Sequence, residues 1–155
     1  GRATLYQITG DADSAIRDYA QAVALEPGEP YTPLLLNIAK ARAGKLDEAK
    51  AGFANLADSD RYDEWPHALA QFFAGEIDIA ALDKLANGAG SDYQRKARAF
   101  DLDFYVGQAV LLKGDTQEAK RRFAAVIATG DRQYLEYNLA AADLAKLGGA
   151  PIAQQ

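Results

Sequence analysis

Apolar residues recur along this chain at intervals of three and four, the period that lines one face of an α-helix. No segment shows the strict alternation of a half-buried strand. The apolar segments end in a recurring residue. Gly10, Gly44, Gly75, Gly114 and Gly148 each follow a helical pattern and precede a polar start, at separations of 34, 31, 39 and 34 residues. Repetition at this period is the mark of stacked helix pairs. Behind three of these glycines one motif returns: Ala15, Tyr19 and Ala22; Ala49, Phe53 and Leu56; Ala119, Phe123 and Val126. The third copy, with Ala80 and Lys84, is weaker.

Each element of the motif has a physical task. A glycine ends a helix in the left-handed conformation that residues bearing a Cβ resist. Asp13, Asp47, Asp78 and Thr116 follow, where an N-cap or first-turn acid is favoured. The alanine five residues after the glycine lets two helices approach, and the aromatic four residues later fills the space on the same face. Pro27 closes the first unit, because proline cannot continue a helix interior.

The predicted elements are helices over 2–9 and 13–26, 31–43 and 46–57, 62–74 and 77–86, and 95–113 and 116–129. A closing helix covers 132–147, which makes about nine. Residues 87–94 read as a loop, and 149–155 as a mobile tail. The expected fold is all-α, an α-solenoid of antiparallel helix pairs forming one domain over 1–148. Its repeats lie near 1–29, 30–60, 61–94 and 95–131. The first repeat lacks the early part of its first helix, so the natural N-terminus is expected upstream of Gly1.

Length and composition narrow the function. A chain of 155 residues with 49% hydrophobic content has room for one sizeable core. A net charge of −5 repels phosphate backbones, which argues against nucleic-acid binding. The absence of cysteine removes disulfides, thiolate metal sites and cysteine nucleophiles. No apolar run reaches the roughly 18 residues of a membrane span, and the first residues do not form a signal peptide.

The spacing resembles the tetratricopeptide consensus. Tyr6, Gly10, Ala15, Tyr19, Ala22 and Pro27 fill its places in the first unit, and Gly107, Gly114, Ala119 and Phe123 match in the fourth. Residues 62–148 are also similar to the C-terminal repeats of bacterial NlpI-type lipoproteins. This rests on Trp65, Phe72-Phe73-Ala74-Gly75, Phe104-Tyr105-Val106-Gly107, Leu112-Lys113-Gly114-Asp115, Ala119, Phe123, Glu136 and Leu147-Gly148. The resemblance implies a right-handed superhelix and an envelope adaptor that docks proteases and peptidoglycan hydrolases, often as a dimer. It favours the bacterial periplasm or envelope, with the cytoplasm as the alternative. The lipidation cysteine of that family has no counterpart in these residues.

Catalytic chemistry finds little support. His67 is the single histidine, and a first-turn, partly exposed residue is the plainer account than a proton shuttle or metal ligand. Ser14, Ser59 and Ser91 lie in no nucleophile motif. The acid pairs Asp101/Asp103 and Asp58/Asp60 read as charge complement at helix ends rather than a glycosidase dyad. The basic run Lys120-Arg121-Arg122 reads as a solvated outer face. No metal site and no cofactor is expected.

Protein binding fits better. In tetratricopeptide folds the first helix of each pair lines a concave groove, and the corresponding stripe here includes Tyr31, Arg42, Tyr62, Trp65, Phe72, Phe104 and Gln108. Aromatics and arginine dominate binding hot spots, so these residues are the candidate groove for a protein or peptide. Tyr31, Tyr62 and Trp65 stand at helix starts where a ring stays partly wet. Leu34, Ile38, Trp65 and Leu69 make the stripe too apolar for a carboxylate clamp. The chain is therefore expected to be a non-catalytic scaffold, with its specific surface in the divergent unit of Trp65. The second reading is an oligomerisation module: Leu135, Leu139, Leu144 and Leu147 of the closing helix form an apolar face that a second copy could cover, giving a homodimer.

Overall fold

A computed structural model describes residues 2–148. Among the described residues there are nine helices and no strand: α1 (Arg2–Thr9), α2 (Ala12–Leu25), α3 (Thr32–Arg42), α4 (Leu46–Asp58), α5 (Glu64–Phe73), α6 (Ile79–Asn87), α7 (Asp92–Leu112), α8 (Thr116–Ala128) and α9 (Leu135–Lys146). The architecture is all-α and built of repeated helix pairs. The expected tail 149–155 lies outside the described residues.

The turn chemistry repeats with the sequence. Gly10, Gly44, Gly75, Gly114 and Gly148 all have φ between 79° and 88°. At four of them the next residue donates its N–H back across the turn. The bonds run Asp11 to Tyr6, Lys45 to Lys40, Glu76 to Gln71 and Asp115 to Val110, at 2.8–2.9 Å. This six-to-one bond closes a helix C-terminus and satisfies a carbonyl that would otherwise be orphaned. The following helix is then capped. Asp11 Oδ1 accepts from Ser14 N at 3.2 Å, Asp78 Oδ1 from Ala81 N at 2.9 Å and Asp115 Oδ1 from Glu118 N at 3.2 Å. Asp13 and Asp47 stand in the first turns of α2 and α4. Turns this short make sequential packed helices antiparallel.

The largest shifts from the expected boundaries are at the starts of α7 and α9. α7 begins at Asp92, because Ser91 Oγ accepts from Gln94 N at 3.1 Å and so starts the helix inside the expected loop. α9 begins at Leu135, after Gly130 with φ 73° and a turn through residues 131–134.

The helices form two compact units, Gly1–Leu82 and Asp83–Gln155, which divide within α6. In the first unit α1 packs on α2, α2 on α3, α3 on α4 and α4 on α5. Ala15 and Ala49 are buried, as are Tyr19 and Phe53, the aromatics that follow them. Leu34, Ile38 and Leu69 complete the centre, and the Phe53 and Phe73 rings stack at 4.6 Å. At Gly52 a Cβ would lie 1.9 Å from Oδ1 of the buried Asn37, so any other residue would have to displace that amide from its bond to Pro33 O.

In the second unit α8 packs on both α7 and α9. Ala119 and Phe123 are fully enclosed, together with Phe104, Tyr105 and Val126. In the weaker third copy Ala80 is exposed, and Leu82 and Ala86 supply the buried face of the short helix α6.

Candidate binding surface

The first helix of each pair carries the candidate stripe, and the structure divides it into accessible and enclosed residues. Tyr31, at the N-cap of α3, and Arg42, in its last turn, are half-buried. Tyr62 precedes α5 and is also half-buried, and its hydroxyl donates to Pro27 O at 3.3 Å. Arg61 Nη1 donates to the same carbonyl at 3.4 Å. Phe72 keeps a half-buried ring, edge-on to Phe73 at 5.4 Å. These four lie in the first unit.

Three candidates belong to the interior instead. Trp65 is only 5% exposed, although it sits in the first turn of α5. Position on a helix, rather than distance from its end, decides burial: four residues along the same face stands Leu69, which is fully buried. Phe104 and Gln108 are 0% exposed in the centre of α7. None of the three offers surface to a partner in this conformation.

The expected oligomer face is also redistributed. Leu139 and Leu144 are buried in the chain's own core, because α8 and α7 already cover that side of α9. Leu135 stays 38% exposed and Leu147 half-buried. A continuous leucine face for a second copy is therefore not presented.

The basic run of α8 is not a free patch. Arg122 is buried, and its Nη1 donates to Asp103 Oδ1 at 3.2 Å while its Nε donates to Glu118 Oε2 at 3.2 Å. Arg121 Nε donates to Glu118 Oε1 at 2.5 Å and its Nη2 to Oε2 at 2.7 Å. The bond from Arg121 holds the Glu118 carboxyl down to about 2. Burial pushes the Asp103 carboxyl up, against the pull of the Arg122 and Arg121 charges. Asp103 thus joins an ion-pair network between α7 and α8.

His67 lies in the first two turns of α5 and is half-buried; its Nε2 sits 2.6 Å from Ala57 O. A ring nitrogen facing a carbonyl this closely carries the proton and donates, which ties α5 to the last turn of α4. Among the described residues no group of three His, Cys, Asp or Glu side chains could hold a metal ion. No helix among them is long and apolar enough to cross a membrane.

Buried polar bonds give several residues roles that the sequence did not predict, among them Gln108, which was expected in the groove. Gln108 Nε2 donates to Asp143 Oδ2 at 2.9 Å, and the Tyr105 hydroxyl donates to Glu136 Oε2 at 3.0 Å. A comparison of repeat positions carries the signal: Gln108 stands six residues before its turn glycine, where Ile38 and Leu69 stand before theirs.

Helix pairs, turn glycines and the alanine–aromatic motif together define an all-α helical-repeat protein. No family model matches the chain, and no solved structure matches it significantly. Among curated proteins it is similar to the Lipoprotein NlpI homolog of Haemophilus influenzae, with 26% identity over 134 residues. The match takes in 86% of this chain but only 42% of that protein, so the chain spans less than half of its relative's length.

Proposed function

We propose that this chain is a non-catalytic scaffold that binds a protein or peptide partner through the first unit. The observation that carries the reading is the set of half-exposed residues Tyr31, Arg42, Tyr62 and Phe72, aromatics and an arginine left accessible at the ends of α3 and α5. Aromatic rings supply large contact area and arginine supplies charge-assisted bonds, which is why both recur at hot spots. Similarity to a bacterial lipoprotein supports an adaptor role in the bacterial envelope.

Photo-crosslinking tests the proposal. A photoreactive amino acid is placed at Tyr31 or Phe72, with exposed Lys50 and Asn55 of α4 as controls, and the variants are irradiated in envelope extracts. One shared adduct at Tyr31 and Phe72, absent at Lys50 and Asn55, is expected. Arg42→Glu should reduce it at least tenfold, equivalent to about 1.4 kcal/mol. Equal labelling at all four positions would remove the assignment.

A further inference from the structure

Asn37, Asn55, Asn87 and Asn138 are the asparagines of this chain, and they differ in the residue that follows. Ile38, Leu56 and Leu139 carry bulky side chains, whereas Gly88 carries none. The backbone nitrogen of the next residue is the nearest nucleophile to an asparagine amide carbon, and a glycine there leaves its approach unobstructed. Asn87 is also exposed, so water reaches its amide. Asn37 is buried, and its Nδ2 donates to Pro33 O at 2.9 Å.

The fold restrains this chemistry without abolishing it. Asn87 is the last residue of α6, a helix of nine residues. Gly88 N donates to Lys84 O at 3.0 Å and Ala89 N to Ala86 O at 3.4 Å, so the turn runs on past the asparagine. A nitrogen bonded in a helical turn faces back along the axis, away from the preceding side chain, and has to leave that bond before it can attack. Two guanidinium groups of α7 hold the same turn. Arg98 Nη1 donates to Leu85 O at 3.0 Å and Arg95 Nη1 to Ala89 O at 2.7 Å, two residues before Asn87 and two after it. These are carbonyls at a helix end, where the helix itself supplies no donor. All of these groups lie in the second unit. End turns of short helices open well below the global unfolding energy, which gives the nitrogen its access.

We propose that Asn87–Gly88 is a self-modification site, which deamidates spontaneously at a rate set by opening of the last turn of α6, with the Arg95 bond to Ala89 O as one restraint. When the turn opens, Gly88 N attacks Asn87 Cγ. The new N–C bond closes a cyclic imide, the Cγ–Nδ2 bond breaks, and Nδ2 leaves as ammonia with the proton of the Gly88 amide. Water then adds to either imide carbonyl and opens the ring, giving aspartate or isoaspartate at position 87. Isoaspartate routes the main chain through a side-chain methylene, which moves Ala89 O out of register with Arg95.

Peptide mass spectrometry on the whole 155-residue chain, held in mildly alkaline buffer, tests the site. Asn87 should lose its amide at least about tenfold faster than the exposed Asn55 and Asn138, because unobstructed intramolecular attack is open to it alone. The product should include isoaspartate, detected by enzymatic methylation. Gly88→Ala, which sets a methyl group beside the attacking nitrogen, should slow the loss by about tenfold. Arg95→Gln should speed it by about 3–10-fold, the effect of losing one charge-assisted bond. Arg95 also pairs with Asp92, so Asp92→Ser is the control and should leave the rate within about twofold. Denaturing urea should speed the wild-type chain at least as much as Arg95→Gln does, since the turn is then open throughout. Loss at Asn87 no faster than at Asn55 and Asn138, aspartate without isoaspartate, or a Gly88→Ala rate equal to wild type would overturn the site. An unchanged rate in Arg95→Gln, or an equal acceleration in Asp92→Ser, would remove the Ala89 bond as a restraint. The urea comparison needs no variant, and an unchanged rate there would show that opening of the turn does not govern the reaction.

Discussion

Gly107→Ala sets two opposing effects against each other, and the geometry decides between them. Gly107 lies within α7, where alanine should gain about 1 kcal/mol of helix propensity over glycine. A Cβ at this position would stand 2.6 Å from Phe123 Cε1 and 3.0 Å from its Cδ1. Carbon atoms ordinarily approach to about 3.5–4.0 Å, so the ring or the helix has to move. The ring cannot swing aside. Phe123 is 0% exposed, and the ring of Phe104, equally enclosed, stands 6.5 Å away. Overpacking of this kind costs about 1–3 kcal/mol, which exceeds the propensity gain. The expected net loss is about 1 kcal/mol, or roughly 2–4 °C in the thermal midpoint of a chain of this size. Urea unfolding followed by far-ultraviolet circular dichroism would measure it. Adding Phe123→Leu provides the internal check, since the smaller side chain leaves room for the new methyl group. The double variant should be about 1 kcal/mol more stable than the sum of the single changes. A Gly107→Ala protein more stable than wild type, or strictly additive effects, would refute the close-approach argument.

Two further outcomes follow from burial and charge. Trp65→Ala should destabilise the chain by about 3–5 kcal/mol, as the loss of a large buried ring does, and denaturation curves would show it before any binding assay could. In the acid range, the Glu118 carboxyl, held down to about 2 from an ordinary 4.5, contributes stability that is present above pH 4.5 and is lost as the pH falls toward 2. Asp103 acts in the opposite sense, because a carboxyl raised by burial binds its proton more readily folded than unfolded and so offsets part of that loss. Glu118→Gln should therefore flatten the decline in unfolding midpoint between pH 4.5 and 2, and an unchanged slope would remove Glu118 from the acid response.

The candidate surface was only partly legible in the sequence. Helical periodicity identifies which residues share a face, and Tyr31, Arg42, Tyr62 and Phe72 do remain accessible. It does not report how deeply a neighbouring helix covers that face. Trp65 was expected to stay wet because it stands near a helix start, yet the face it shares with Leu69 is enclosed. The leucines of the closing helix show the same limit. Their spacing announces an apolar face, but whether α8 or a second copy covers it depends on contacts distant in sequence.

The sequence by itself determined the glycine turns, the alanine–aromatic pairing of successive helices and the all-α repeat. These depend on local conformational preference and on side-chain volume at fixed spacing, both of which are written into a few neighbouring residues. Only the tertiary structure decided which stripe residues face solvent, that Arg122 is buried between Asp103 and Glu118, and that Gln108 meets Asp143 across 35 positions of chain. Those outcomes depend on the relative depth and register of packed helices, which local preference leaves open and close packing then sets.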